Sequence, residues 1–264
     1  MSYLNPPALD FTYKRLAGKV IFVAGASSGI GESAVRLFAR EGAKVVSAAR
    51  RLKRMEVEAQ VLNEAGLTVA PVECDVRDET SVAHAIDFAI ERFGRLDGAF
   101  NNAGEGNAQG SLHEFNVEVF DRVMGTNLRG VFFCLKHEIS AMLRTGGGSI
   151  VNTSSAAGLT GMARNSLYAA SKFGLAGMIK SAAVEYARQG IRVNAIGVGP
   201  TDTAMFRRWA TTENERARAA EMFPMNYIAQ PEDMARAALF LLSDEARWTT
   251  GVVLPCEGGK TAGW

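Results

Sequence analysis

Short apolar runs recur along the chain, and each is followed by a longer segment whose apolar residues have helical spacing. The first run, residues 19–24, carries no charge after Lys19, as expected for a strand that is buried on both faces of a parallel sheet. Strands are predicted in the same way at residues 19–24, 44–48, 68–73, 96–100, 149–153, 191–196 and 251–255. Strand and helix alternate throughout, which favours one α/β domain with helices on both faces of the sheet.

Helical periodicity fills most of the segments between these strands. The predicted helices cover residues 32–41, 52–65, 79–93, 112–143 and 167–188, and a last one begins at Pro231. The segment 112–143 should be interrupted near Gly125-Thr126-Asn127, and residues 204–229 have the character of a mobile cover over the carboxyl edge of the sheet. We expect residues 1–16 to form a short arm ahead of a single domain, residues 17–264.

The composition argues against several classes of protein. With 29 basic and 28 acidic side chains the formal net charge is +1, so no nucleic-acid or membrane partner held by bulk charge is expected. No uncharged apolar run reaches the ~18 residues of a membrane span. Cys74, Cys134 and Cys256 show no paired spacing, and the histidines show no ligand spacing, so we predict neither a disulfide nor a metal site. We expect a reducing, cytoplasmic location.

A glycine-rich turn joins the first predicted strand to the first predicted helix. Glycines at such a turn let the backbone approach a pyrophosphate, which the amides of the helix N-terminus then bind. The spacing Gly-x-x-x-Gly-x-Gly is a modest signal by itself, because a tight turn between strand and helix needs no ligand. The candidate cofactor contacts in this turn are Gly25, Ser27, Ser28, Gly29, Ile30 and Gly31.

The end of the second predicted strand bears on which dinucleotide is bound. In proteins that prefer NAD, an acidic residue about twenty positions past the glycines bonds the adenosine ribose. This chain has Ala49 there, followed by Arg50 and Arg51. A guanidinium binds a 2′-phosphate through paired hydrogen bonds, so the sequence favours NADP over NAD. The alternative is that both arginines only solvate the start of the next helix.

Further candidate contacts follow the third and fourth predicted strands, where ligands of open α/β sheets bind. Asp75, with Val76 beside it, could accept a hydrogen bond from an adenine amino group or simply cap the next turn. The small residues after the fourth strand suit a tight turn and close packing against a cofactor. They are Asn102, Ala103 and Gly104.

Tyr168 and Lys172 are four residues apart in a predicted helix, so a phenol and an ammonium would share one face. A cation beside a phenol, whose ordinary pKa is ~10, lowers that pKa toward the range used in acid–base chemistry. An isolated pair at this spacing is more often a tyrosine packed on the aliphatic stem of a lysine. Asn127, which is polar inside an apolar stretch, would either support neighbouring backbone or hold a water.

Taken together, these motifs resemble those of the short-chain dehydrogenase/reductase family. The resemblance extends from about residue 16 to residue 259 and rests on the glycine turn, residues 101–104, Asn127, Ser155 and the Tyr168–Lys172 pair. The family's spacing of thirteen residues before the tyrosine selects Ser155 over Ser154. The resemblance implies a Rossmann-type, doubly wound sheet of about seven parallel strands, a nicotinamide cofactor, and a homo-oligomer that is a tetramer or a dimer.

The resemblance also implies roles for the site residues. Tyr168 would exchange a proton with the substrate oxygen, Ser155 would stabilise that oxygen, and Lys172 would lower the pKa of the tyrosine and bind the nicotinamide ribose. Asn127 would hold a water that links the lysine to solvent. Three residues after the sixth strand would contact the cofactor, the last of them at the nicotinamide carboxamide: Gly199, Thr201 and Thr203.

We therefore expect an oxidoreductase that interconverts a ketone and a secondary alcohol with NADP(H), or with NAD(H) as the alternative. The rival hypothesis is a catalytically idle dinucleotide-binding sensor or assembly subunit, against which the full set of catalytic residues argues. Substrate walls are expected at residues 105–111, 158–165 and 204–227. Their apolar side chains favour a hydrophobic, medium-sized substrate, and these are Leu159, Met162, Met205, Phe206 and Trp209.

Overall fold

The computed structural model describes residues 14–106 and 109–263. Within them, seven strands form one parallel sheet in the order β3-β2-β1-β4-β5-β6-β7. The strands are β1 Val20–Ala24, β2 Lys44–Ala49, β3 Thr68–Glu73, β4 Gly98–Asn101, β5 Gly148–Ser155, β6 Ile191–Val198 and β7 Val253–Cys256. The predicted doubly wound parallel sheet is confirmed.

Two boundaries in this set matter for function. Strand β5 continues two residues past the predicted end, because its pairing with β6 extends as far as Ser155 and Val198. Strand β4 stops at Asn101, which pairs with Asn152 of β5. Backbone pairing between β4 and β5 therefore ends at that pair, and the residues that follow lie at the carboxyl edge of the sheet.

The longer helices are α1 Gly29–Arg40, α2 Leu52–Glu64, α3 Glu79–Phe93, α4 Val117–Met124, α5 Gly130–Thr145, α6 Ser166–Tyr186 and α9 Pro231–Leu242. Helices α4 and α5 replace the single predicted segment, and a π-helical turn at Gly125–Arg129 joins them at the predicted interruption. Helix α1 begins three residues earlier than predicted, so that the last glycines of the turn form its first turn. Both differences place backbone amides and carbonyls near the carboxyl edge of the sheet.

The sheet is covered by a helical layer on each face. One apolar core joins the sheet to α1, α2 and α9, and includes the fully buried Leu16. A second core joins the other face to α3, α5 and α6. Of the predicted arm, residues 1–13 lie outside the described residues. No helix among those described is both long and apolar enough to cross a membrane.

Residues 204–229, the cover segment, carry the short helices α7 Ala204–Arg207 and α8 Glu213–Glu221. The ends of the cover segment are tied together: Ala229 N donates to Pro200 O at 3.0 Å, and Asp202 N donates to Ala229 O at 2.8 Å. Phe206, Ala210 and Ala219 form a small apolar core inside the cover segment. The cover segment is therefore a closed loop with its own packing, set over the carboxyl ends of the strands.

Candidate active site

A groove of about 520 Å³ runs along the carboxyl ends of the strands. One end is lined by Arg50, Arg51 and Asp75, and the other by Tyr168 and Lys172. The predicted cofactor residues that line it are Gly25, Ser27, Ser28, Gly29, Ile30, Arg50, Arg51, Asp75, Val76, Asn102, Ala103, Gly104, Tyr168, Lys172 and Thr203. Segments far apart in the chain thus meet along one continuous surface.

The glycine turn packs so closely that larger residues cannot replace its glycines. Gly25 has a φ of +78°, and a Cβ there would lie 2.7 Å from the backbone nitrogen of Ala103. A Cβ on Gly31 would lie 2.2 Å from the carbonyl oxygen of Gly25. Gly31 itself does not line the groove. Ser28, the N-cap of α1, makes no side-chain capping bond, so the first amides of α1 face the groove as an anion site.

Arg51 lies over this turn. Its guanidinium donates to Ser27 Oγ at 2.9 Å and to Ser28 Oγ at 2.7 Å, while Arg50 is exposed and lines the groove beside it. The hypothesis that both arginines only solvate α2 does not fit Arg51, whose partners are all in the glycine turn. A phosphate at this end of the groove would meet two guanidinium groups and two hydroxyls.

Asp75 is engaged by a residue that the sequence interpretation missed. Arg77 donates to Asp75 through its backbone nitrogen at 3.0 Å and through its guanidinium at 2.6 Å. This hydrogen bonding holds the pKa of the Asp75 carboxyl below its ordinary value. Asp75 therefore stabilises the local turn, whereas Asp78 caps α3 through Thr80 N. The sequence feature that could have predicted this contact is the position of Arg77, two residues after Asp75 at the edge of the sheet.

Asn127 supports the backbone of the segment that follows β4. Its Oδ1 accepts from Glu105 N at 2.8 Å, and its Nδ2 donates to Glu105 O at 2.8 Å and to Ser171 Oγ at 3.3 Å. The side chain is fully buried. The side chain thus supports the backbone at Glu105, and the predicted water at Asn127 stays a prediction. The Glu105 carboxylate forms an ion pair with Arg122 of α4.

Tyr168 and Lys172 line one end of the groove, and Ser155, which does not line it, is hydrogen-bonded to Tyr168. Lys172 is 3% exposed, its Nζ donates to Thr153 O at 2.7 Å, and it lies 5.6 Å from the centroid of the Tyr168 ring. Ser155 ends β5, is buried, and accepts from Ala157 N at 3.2 Å. The two helical residues come from the first turns of α6, and the serine comes from the neighbouring strand.

Burial dominates the protonation of this group. It lowers the pKa of Lys172 to about 8, so the amine still carries a proton at neutral pH. It also raises the pKa of Tyr168, and the hydrogen bond with Ser155 acts in the opposite direction. The Lys172 ammonium is directed to Thr153 O, and its expected lowering of the Tyr168 pKa stays a prediction.

The loop after β6 divides into residues that face the groove and residues that do not. Thr203 lines the groove and caps α7 by accepting from Phe206 N at 3.2 Å. Gly199 and Thr201 do not line it. Gly199 borders a separate cavity of about 380 Å³, and Thr201 is buried with its hydroxyl donated to Gly199 O. These two residues shape the loop that carries Thr203.

The cover segment contributes to the groove through Met205, one of the apolar side chains predicted for its wall, and through Arg208, which was not among them. Phe206 turns inward and packs against Trp209 with ring centroids 4.7 Å apart. Phe206 is thus part of the internal core of the cover segment and not a substrate wall. Thr126 and Thr153 also line the groove without having been predicted. Among the described residues, no group of three or more His, Cys, Asp or Glu side chains is placed to hold a metal ion.

Comparison with known proteins places these features in a wider context. The family model described as Enoyl-(Acyl carrier protein) reductase matches residues 25–261. The chain is 42% identical over 248 residues to the A-factor type gamma-butyrolactone 1′-reductase (1S-forming) of Streptomyces virginiae, covering 93% of this chain and 96% of that protein. It is also 42% identical to the cis-4-hydroxycyclohexanecarboxylate dehydrogenase of Sinomonas cyclohexanicum, covering 93% of this chain and 98% of that protein.

A solved structure is similar in fold as well as in sequence. The crystal structure of levodione reductase superimposes with a TM-score of 0.90 at 35% identity, covering 95% of this chain and 100% of that chain. The similarity therefore includes the strands and helices that carry the groove.

Proposed function

The chain belongs to the short-chain dehydrogenase/reductase family, and from that premise we propose which residues carry its reaction, which cofactor it prefers and which substrates it accepts. It is an oxidoreductase that interconverts a ketone and a secondary alcohol with a nicotinamide dinucleotide. The observation that carries the proposal is that Tyr168, hydrogen-bonded to Ser155, lies with Lys172 at one end of a groove whose other end is formed by a glycine turn and two arginines.

The groove suits such a cofactor. Uncapped amides at the start of α1 and the hydroxyls of Ser27 and Ser28 provide donors for phosphates. When bound, the nicotinamide supplies or accepts the hydride at the substrate carbon. The residues of this chain orient the cofactor and the substrate and transfer one proton.

The proton passes through Tyr168. In reduction its hydroxyl donates a proton to the carbonyl oxygen as that oxygen gains charge, and in oxidation the phenolate takes the proton from the alcohol. Ser155 hydrogen-bonds the same oxygen and stabilises its developing charge. Lys172, which carries a proton at neutral pH, lies beside the Tyr168 ring and is held by its hydrogen bond to Thr153 O. Asn127 keeps the segment at Glu105 in position.

Tyr168→Phe tests this assignment. The variant should keep its affinity for NADPH and lose turnover by about 10²–10⁴-fold, since only the transferable proton is removed. Tyr186→Phe is the matched control, because Tyr186 ends the same helix away from the groove. Turnover in Tyr168→Phe within a few-fold of the control would exclude Tyr168 as the acid–base group.

We favour NADP(H) over NAD(H) as the cofactor. Arg51 is directed at the glycine turn, Arg50 lines the groove beside it, and Ala49 offers no carboxylate to repel a phosphate or bind a ribose. Asp75, the nearest acid at this end of the groove, is paired with Arg77. The adenosine end of the groove is therefore positively charged, which suits a 2′-phosphate.

Titration of the protein with NADPH and NADH, followed by the same titration of Arg51→Ala and Arg50→Ala, tests the cofactor preference. Each substitution should weaken NADPH binding by about 10–100-fold, from the ~1.5–3 kcal/mol of a hydrogen bond to a charged group, and leave NADH within a few-fold. Arg54→Ala is the control, since Arg54 lies one turn further along α2 and pairs with Glu32. Equal losses for both cofactors would contradict the phosphate contact.

We propose a medium-sized cyclic ketone or secondary alcohol as the substrate. Met205 lines the groove and packs on Gly106, and Leu159, from the predicted wall 158–165, packs on Gly197. Two similar enzymes are named for ring compounds, a γ-butyrolactone and a hydroxycyclohexanecarboxylate. A panel of cyclohexanones, with and without a ring carboxylate, and open-chain 3-oxoacyl esters tests this class; higher kcat/KM for the open-chain esters would contradict it.

We also propose that the chain forms a homo-oligomer, a dimer or tetramer, through α4, α5 and α6. These helices expose large apolar side chains, among them Phe120, Phe132 and Phe173, each with more than two fifths of its surface accessible. Phe173→Glu should lower the mass measured by light scattering, whereas Val57→Glu on α2 should not.

A cytoplasmic location is supported by three free cysteines, two of them buried.

A further inference from the structure

One buried carboxyl group takes no part in the reaction described above. Glu138 of α5 is fully buried, and its Oε2 accepts a hydrogen bond of 3.0 Å from Asn101 Nδ2. Its Oε1 has no hydrogen-bond partner within residues 14–106 and 109–263. An ionised carboxylate can only accept hydrogen bonds and is costly to bury with a single donor, so this environment suits the neutral acid.

Asn101 extends the contact to the next strand. The same amide nitrogen donates to Asn152 Oδ1 at 3.1 Å, and Asn152 Nδ2 donates to Asn194 O of β6 at 3.0 Å. Asn101, Asn152 and Asn194 are each at most 2% exposed. We call Glu138, Asn101 and Asn152 the α5 clamp, because they fasten that helix to β4 and β5.

The α5 clamp stands immediately before two parts of the active site. Asn101 and Asn152 are the last backbone pair of β4 and β5. The residues that follow them are Asn102 and Thr153, which are joined by a hydrogen bond of 3.2 Å from Thr153 Oγ1 to Asn102 Oδ1. Thr153 O in turn accepts from Lys172 Nζ. Beyond this pair β4 and β5 are joined by side chains, while the backbone bonds Asn102 to Ala24 O on one side and pairs Thr153 with Ile196 of β6 on the other.

The surroundings of the carboxyl group contain few groups that could titrate with it. The groups near it are Cys74, which directly follows β3, Cys134 of α5 itself, and the neutral Asn101 of β4. Burial raises the pKa of Glu138 to about 8, that of Cys74 to about 12 and that of Cys134 well above its ordinary value. Glu138 is therefore the group of this set that changes charge in mildly alkaline solution.

We propose that Glu138, held as a neutral carboxylic acid, is a positioning residue for the cofactor: through Asn101 and Asn152 it sets the distance between the segment Asn102–Gly104 and Thr153. Ionisation places an unpaired charge in the apolar layer beneath the groove and loosens the α5 clamp. Asn102, Ala103 and Gly104 line the groove, so the loosened state binds the dinucleotide more weakly. The inference rests on the proposed function, because cofactor affinity is the property that the α5 clamp controls.

The test compares the dissociation constant of NADPH for four proteins between about pH 6.5 and pH 9.5: the wild type, Glu138→Gln, Glu138→Leu and Ser149→Ala. Above pH 8 the affinity of the wild type for NADPH should fall by up to about tenfold per pH unit. Glutamine keeps the shape and both kinds of hydrogen bond but cannot ionise, so Glu138→Gln should lack this fall. Leucine should weaken binding at every pH. Ser149→Ala, which removes a buried bond to Leu241 O at the far end of β5, should follow the wild type.

Lys172, whose pKa is also about 8, is present in all four proteins, so its titration cancels in the ratio of wild type to Glu138→Gln. A ratio that does not change with pH would overturn the proposal, and it decides the matter even if Glu138→Leu does not fold. A folded Glu138→Leu with unchanged affinity at neutral pH would overturn it equally. Wild-type protein that binds neither NADPH nor NADH at any pH would refute the proposed function first, and the inference with it.

Discussion

Replacing Glu138 by glutamine should make the stability of the folded protein much less dependent on pH between about pH 6 and pH 8. The pKa of the Glu138 carboxyl is about 8 in the folded protein against an ordinary value of 4.5. Across that interval the native state holds a proton that the unfolded state has lost, so the free energy of unfolding falls as the pH rises. In glutamine no proton is exchanged, and this part of the slope disappears.

The size of the effect follows from the two pKa values. A difference of one pH unit between folded and unfolded states corresponds to 1.36 kcal/mol, so the whole shift amounts to at most ~5 kcal/mol. Between about pH 6 and pH 8 the integrated loss for the wild type is about 2 kcal/mol. The lowered pKa of Lys172 raises stability only above about pH 8, and the raised pKa of Cys74 acts higher still, so neither distorts this window.

The assay is urea unfolding at several pH values, followed by circular dichroism at one fixed protein concentration, because a change in oligomeric state would shift the midpoint. The wild type should lose about 2 kcal/mol more than Glu138→Gln as the pH rises from 6 to 8. Ser149→Ala should be less stable throughout but parallel to the wild type. Parallel curves for wild type and Glu138→Gln would show that the buried acid is already ionised at neutral pH, and the reasoning would fail.

Three further substitutions separate packing, positioning and stability. Gly31→Ala places a methyl group 2.2 Å from Gly25 O. It should lower the free energy of unfolding in urea by about 1–3 kcal/mol and weaken cofactor binding. Gly177→Ala is the control and should do neither, because a Cβ added there would meet no atom of the described residues within 4 Å outside its own stretch of helix. Asn127→Ala leaves the backbone of Glu105 without its two partners and should lower kcat/KM while costing about 1–3 kcal/mol of stability; unchanged kcat/KM would argue against a positioning role. Arg192→Met removes bonds to Leu241 O and Ser243 O and should lower thermal stability with kcat unchanged, which kinetics and melting curves together can check.

Much of the fold was predictable from the sequence because each buried strand is a short apolar run that ends at a polar or glycine-rich turn. Parallel strands deliver their carboxyl ends to one edge, so the glycine turn and Asp75 had to lie near one another once the strands were placed. The pairing of Tyr168 with Lys172 followed from helical spacing alone. These inferences need only local periodicity and the topology of an open sheet.

Other parts of the site depend on contacts that periodicity does not encode. The bonds from Asn127 to Glu105 require the π turn at Gly125–Arg129, and nothing in the apolar pattern distinguishes it from a break between two helices. The pKa of Tyr168 is raised because burial outweighs the hydrogen bond with Ser155, and residue spacing does not show how deeply a side chain is buried. Phe206 was expected on a substrate wall, but the cover segment closes on itself and needs a core of its own.

Glu138 lies between these two cases. The residues one turn before and one turn after it, Cys134 and Met142, are both buried, so helical spacing alone places a carboxyl group in the apolar stripe of α5. A carboxyl group in that position must be either paired with a cation or neutral, because a bare buried charge is too costly. The sequence could therefore have raised the question. What it could not supply is the answer, since the partner is an asparagine on a strand that precedes α5 by 29 residues or more. The apolar pattern of α5 thus marks Glu138 as unusual, and the tertiary structure supplies the contacts of the α5 clamp on which its proposed role rests.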